Sequence, residues 1–96
     1  MVIYVDIDNT ICSQEVEEYE KAVPWNDNID KINKLYDEGH HITYYTARGS
    51  STGINWYNLT KQQLDHWGCK YHKLSVGRKR DYDLLICDKT KRIEEL

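Results

Sequence analysis

The 96-residue sequence predicts a small α/β domain, a parallel sheet in three layers with helices on both faces. Three observations carry that prediction. Short runs of β-branched and aromatic residues alternate with stretches whose apolar residues recur at helical spacing. Strands separated by helices pair in parallel through right-handed crossovers. The length leaves room for a single domain over residues 1–96, because compact domains run to about 100–150 residues.

Val2-Ile3-Tyr4-Val5, running into Asp6-Ile7-Asp8, reads as a first strand buried on both faces. The acidic cluster Glu15, Glu17, Glu18 and Glu20, with Pro24 after it, reads as a flap over roughly residues 12–25. Asp27 is placed to cap a helix through Ile29, Ile32, Leu35 and Tyr36 that ends at Gly39. Residues 41–46 form the second strand, and residues 47–53 a Gly/Ser-rich loop. Thr60-Lys61-Gln62-Gln63 has the capping-box pattern and predicts a second helix through Leu64 and Trp67 to Gly68. Residues 71–76 and 83–88 read as the third and fourth strands, with a short polar helix over 89–96.

Composition excludes several classes. Thirteen basic against sixteen acidic residues leave a net charge of −3, so no global field favours a polyanion and a nucleic-acid binder is disfavoured. A 40% hydrophobic content is too high for a disordered chain. Three cysteines without a CxxC, Cys12, Cys69 and Cys87, indicate neither a disulfide framework nor a zinc knuckle. Their expected state is reduced, in a cytoplasmic protein. The apolar stretch before Asp6 is too short for a signal peptide, and no run long enough to cross a membrane appears. No membrane partner is expected. Eight Tyr and three Trp on so short a chain point to a homo-oligomer.

Ligands of open α/β sheets sit beyond the carboxyl ends of the strands. That directs attention to Asp6 and Asp8, to Thr46 and Arg48, and to Asp88. D-x-D spacing alone is a weak signal, and Asp81 with Asp83 repeats it. Four apolar residues before Asp6 and Thr10 after Asp8 make the first pair a strong one. The Asp6 side chain and the Asp8 main-chain carbonyl can face one divalent ion, and oxygen-only ligands suit Mg²⁺. One carboxylate can then attack phosphorus while the other shuttles a proton.

The residue set resembles the haloacid dehalogenase (HAD) superfamily of phosphotransferases over nearly the whole chain. Asp6-Ile7-Asp8-Asn9-Thr10 matches the family's first motif, Thr46 its second, Lys79 its third and Asp88 its fourth. More narrowly, Thr46-Ala47-Arg48-Gly49, the segment from Gln63 to Gly68 and the segment from Tyr82 to Lys89 look like small capless members. Such members are often associated with capsule and surface-polysaccharide gene sets. The resemblance implies a three-layer, Rossmann-like sheet without a cap domain and a Mg²⁺-dependent phosphatase acting on a small phosphorylated metabolite, a sugar phosphate among the candidates. By it Asp6 is the nucleophile and Asp8 the general acid and base. Thr46 and Lys79 hold phosphoryl oxygens, with Lys73 and Lys70 as alternatives to Lys79. Arg48 is either an anion-binding residue or an ordinary surface arginine. Asp6, Asp8 and Asp88 are the metal ligands. Two departures stand out: Asn9 where Gly is commoner, and Cys87-Asp88 where relatives carry two adjacent acids.

Blander readings compete with each residue. The Asp6/Asp8 pair could cap a turn, Thr46 could bond backbone, and Asp88 could cap the last helix. His40, His41, His66 and His72 lack metal-ligand spacing, and Trp56, Tyr57 and Trp67 fit a core or an interface. Two other functions remain: a phosphate or Mg²⁺ binder that has lost turnover at Cys87, and a polynucleotide-end phosphatase. The acidic flap disfavours the latter. A phosphoacceptor signalling domain ranks third, after the phosphatase and the binder, because it wants adjacent acids on strand one and an acceptor Asp where Thr46 stands.

Overall fold

A computed structural model describes residues 1–13, 19–49, 52–77 and 84–86. The fold is α/β. Among the described residues four strands, β1 (Val2–Asp6), β2 (His41–Thr46), β3 (Lys73–Val76) and β4 (Leu84–Ile86), form one sheet in the order β3-β2-β1-β4. Every neighbouring pair is parallel. Helix α1 (Asn26–Asp37) joins β1 to β2, and α2 (Tyr57–His66) joins β2 to β3. The chain then crosses from one edge of the sheet to the other to place β4 beside β1. Strand order therefore reverses between β1 and β4, and the crevice beyond their carboxyl ends is where such sheets bind ligands.

The core explains which face is covered. Ile3 lies opposite Ile42, and Val5 opposite Tyr44. These four join Ile29 and Ile32 of α1 and Leu64 of α2 in one buried cluster. Two right-handed crossovers stepping the same way put both helices on that face. Each such fully buried aliphatic side chain contributes about 1.5–3 kcal/mol. The first strand is accordingly less buried than its apolar run suggested: Ile3 and Val5 are buried, while Val2 and Tyr4 are only half-buried. The helix expected over 89–96 lies outside the described residues. No described helix is long and apolar enough to cross a membrane.

Both helix starts differ from expectation. α1 begins at Asn26 behind Trp25, with no side-chain cap. Asp27 sits inside the first turn, where its negative charge meets the positive end of the helix dipole. The helix stops as the sequence suggests, because Gly39 takes a φ of 98° and its N–H donates to the Tyr36 carbonyl. α2 begins at Tyr57, three residues before the apparent capping box. The Tyr57 N–H is taken instead by the Asn55 side chain. Thr60 and Gln63 consequently lie within the helix and are buried.

The flap base is ordered by main-chain pairing. Cys12 bridges to Pro24 in antiparallel fashion, Ser13 donates to Val23, and Trp25 donates to Ile11. Between these, Tyr19–Lys21 forms a short 3₁₀ turn. β3 is shorter than the expected 71–76, and β4 covers only the middle of the expected 83–88, the rest of which lies outside the described residues.

Candidate active site

Asp6 is the last residue of β1, level with Tyr45 of β2. The Ile7 N–H extends the ladder by one bond, to the Tyr45 carbonyl. The chain then closes a tight turn: Thr10 and Ile11 both donate to the Ile7 carbonyl, and Asn9 donates to the Cys12 carbonyl. Asn9 makes this possible by adopting a φ of 62°, a left-handed conformation that Asn tolerates better than most residues. The turn lifts Asp8 off the strand and swings its carboxylate toward the end of β2.

The Arg48 guanidinium meets that carboxylate there. Its Nη2 donates to Asp8 Oδ1 at 2.7 Å and its Nε to Asp8 Oδ2 at 3.0 Å. The Arg48 side chain is 0% exposed and that of Asp8 13%. The remaining amino group, Nη1, donates to Gln63 Oε1 at 2.6 Å and to Thr60 Oγ1 at 3.2 Å. The Tyr19 ring lies 4.6 Å from the guanidinium carbon. Gln63 also donates through Nε2 to the Tyr19 carbonyl at 2.6 Å. Burying a charge is costly unless it is paired and its hydrogen bonds are met, and here the fork, the hydroxyl and the amide meet them.

Thr46 completes the group. Its hydroxyl donates to Asp8 Oδ2 at 3.1 Å and accepts the Arg48 N–H at 3.2 Å. Cys12 adds a weak contact, with Sγ 3.8 Å from Asp8 Oδ1. Burial, followed by the neighbouring Asp8 charge, pushes the Cys12 thiol up to about 12, so it stays a neutral donor.

Arg48 is therefore not the surface arginine that was one of the two expectations: it is an interior residue paired with Asp8. The physical reason is the Asp8 carboxylate, which is withdrawn from most of its water and takes the nearest cation. Thr60, Gln63 and Tyr19 were missed by sequence reasoning. The signal was present in Thr60, Gln63 and Leu64, spaced three and four residues apart on one helical stripe, which marks a buried face. The capping-box pattern masked it.

Lys79 and Asp88 lie outside the described residues, as do Cys87, Asp81 and Asp83. Of the alternative lysines, Lys70 is paired with Asp37 at 2.9 Å, beside the end of α1 that leads into β2 and so at the amino edge of the sheet. Lys73 opens β3 and is exposed. His41 and His72 stack at 4.4 Å on that same amino edge, far from Asp6.

The donor set suits a hard cation. The hydrogen bonds that close the 7–12 turn are accepted by the Ile7 and Cys12 carbonyls, which leaves the Asp8 carbonyl outside that network. With the Asp6 carboxylate it offers oxygen ligands of the kind Mg²⁺ takes. The Asp8 carboxylate, bound on both oxygens by Arg48, would contribute no ligand of its own. Among the described residues no group of three or more His, Cys, Asp or Glu side chains gathers to hold a metal. Of the three expected ligands, Asp88 lies outside them. Beside the site, an open cleft of about 440 Å³ runs past Gly49, Ile54, Trp56, Tyr57 and Gly77 at the ends of β2 and β3.

No family model and no curated protein matches the chain. Among solved structures, a crystal structure of an MCSG target from Vibrio cholerae is similar, with a TM-score of 0.76 and 24% identity over 98% of this chain and 85% of that one. Likeness at that identity speaks to the fold alone, and supports the α/β architecture described above.

Proposed function

We propose that this chain is a Mg²⁺-dependent phosphomonoester hydrolase of the HAD type, working through an aspartyl-phosphate on Asp6. One observation carries the reading: two residues beyond Asp6, past the carboxyl ends of β1 and β2, the Asp8 carboxylate is held by Arg48 and Thr46 through three hydrogen bonds. Pairing of this kind also satisfies a buried charge, and it holds the carboxylate near one geometry, as an acid–base group requires.

In this reading an Asp6 oxygen attacks phosphorus and the bond to the leaving oxygen breaks. For this Asp8 enters the step carrying a proton from solvent, which displaces one of the donors on its carboxylate, and passes that proton to the leaving oxygen. It then accepts a proton from the water that splits the aspartyl-phosphate, and inorganic phosphate leaves. Asp6, the Asp8 carbonyl and Asp88 would hold Mg²⁺, which when bound neutralises charge on the phosphoryl oxygens. Thr46 and Lys79 would steady those oxygens, Thr46 after giving up its bond to Asp8.

The finer architecture belongs to the same proposal: a capless, three-layer sheet, since no insertion of cap size separates Asp8 from Thr46 or Thr46 from Lys79. An open site of this kind would be covered by a second copy of the chain. The leaving group, a small metabolite such as a sugar, would occupy the cleft lined by Trp56 and Tyr57. The unpaired Cys12 and Cys69 thiols fit a cytoplasmic setting.

The test is phosphate release from p-nitrophenyl phosphate and a panel of sugar and nucleotide phosphates, with wild type beside Asp6→Asn, in Mg²⁺ and in EDTA. Turnover that needs both Asp6 and Mg²⁺ is the expected result. Mg²⁺ binding without turnover on any substrate would leave a phosphate or metal binder in its place.

A further inference from the structure

We propose that Gln63 is a positioning residue for the general acid–base Asp8, acting through Arg48 and braced by the Tyr19 turn. The inference rests on the hydrolase reading above and adds to it a residue remote from the reacting atoms.

Gln63 is buried on α2 and uses both ends of its amide. Oε1 takes the Arg48 Nη1 proton and Nε2 gives its own to the Tyr19 carbonyl, each at 2.6 Å. Arg48 in turn grips both oxygens of Asp8. A single line of hydrogen bonds thus runs from the main chain of the Tyr19–Lys21 turn, through one amide and one guanidinium, to the carboxylate. The Tyr19 ring also covers the guanidinium and meets Trp56 edge-on at 5.1 Å, so the same turn presses on Arg48 from a second side.

Only a primary amide of this length does both jobs. Leucine would offer neither contact. Glutamate would keep the acceptor for Arg48 and lose the donor to Tyr19, while its charge would compete with Asp8 for the guanidinium. Without Gln63, Nη1 retains only the longer Thr60 contact. The fork then loses its shortest anchor to α2, and the orientation of Asp8 is set less tightly.

A buried amide that served stability alone would lower activity evenly across substrates. A residue that sets the acid would not, because leaving groups differ in their need for a proton. p-Nitrophenolate departs without one, while the more basic phenolate of phenyl phosphate needs it. The comparison is made on kcat/KM, which reports the steps up to phosphorylation of Asp6.

The experiment measures kcat/KM for both esters in wild type, Gln63→Leu, Gln63→Glu and Asp6→Asn. Gln63→Leu is expected to lose on the order of 10²-fold with phenyl phosphate, the scale of a misplaced catalytic group, and less than about threefold with p-nitrophenyl phosphate. Gln63→Glu is expected to show the same bias, and carries the test if the leucine variant fails to fold. Equal losses on the two esters, or none, would overturn the positioning role and leave the hydrolase reading standing. Absence of turnover in wild type, or turnover that survives Asp6→Asn, would instead remove the hydrolase reading and the inference with it.

Discussion

Arg48 and Asp8, forty residues apart, form a two-pronged ion pair in which both carboxylate oxygens are engaged, at 2.7 and 3.0 Å. Neither β1 nor β2 can shift along the other without breaking it. The pair therefore ties the sheet register to the orientation of the candidate acid.

Removing the cation should be costly. Arg48→Met is expected to lower stability by about 3–5 kcal/mol, since it leaves Asp8 nearly buried without a counter-charge. For a domain of this size that is a fall in Tm of more than about 10 °C. The double variant Asp8→Asn/Arg48→Met should lose clearly less than the sum of the two single variants. Strictly additive losses in urea denaturation would contradict the coupling.

Metal affinity should separate the two aspartates. Asp6→Asn is expected to weaken Mg²⁺ binding by at least about tenfold, the scale on which even outer partners of a ligand count. Asp8→Asn should weaken it less, because the Asp8 carboxylate is occupied by Arg48 and only its carbonyl is offered. Isothermal titration with Mg²⁺ alone reads the difference, and an equal loss in both variants would place the Asp8 carboxylate on the metal.

Stability should decline in alkali. The Cys12 thiol is pushed from its ordinary 9.0 up to about 12, mainly by burial, and Cys69 likewise. Between those limits the unfolded thiol has lost its proton while the folded one keeps it. The contribution is therefore complete below about pH 9 and falls toward pH 12, at about 1.4 kcal/mol per pH unit for each proton. Cys12→Ala should flatten the fall of Tm between pH 9 and 11. Unchanged slopes would show that Cys12 takes no part.

Two glycines of one loop should respond differently to alanine. Gly49 and Gly53 have similar left-handed backbones, with φ of 83° and 75°. A Cβ at Gly53 would meet nothing within 4 Å, so Gly53→Ala should cost only the backbone strain, about 1–2 kcal/mol. A Cβ at Gly49 would run into the Ile54 carbonyl oxygen and touch the Trp56 ring. Gly49→Ala should be the more destabilising in a thermal melt, and equal shifts would mean that the loop yields.

The parts of this molecule legible in its sequence are those set by local chemistry. The apolar runs ending at Asp6 and Thr46 marked two neighbouring strands and the edge where a site would form. Asn9 announced its left-handed turn, and Gly39 the end of α1. What stayed hidden was pairing across distance. Nothing local says that Arg48 turns inward to Asp8 rather than outward to solvent. Thr60 and Gln63 satisfy the capping-box pattern, yet the helix begins a turn earlier, and the same two side chains serve Arg48. Tyr19, beside a run of glutamates, looked like solvated loop because its partners lie on α2 and after β2.

The crossing from β3 to β4 has a consequence for how the chain becomes a protein. β1 is made before the other three described strands, yet it finishes between β2 and β4. As the chain emerges from a ribosome, β1 can pair with β2 once His41–Thr46 has appeared, but its other side stays an open template until Leu84–Ile86 follows. The β1–β4 side of the sheet is thus the last to close. Final assembly waits on a pairing between segments some eighty residues apart, the kind of long-range contact that slows folding. The opposite edge can form from contacts much nearer in sequence.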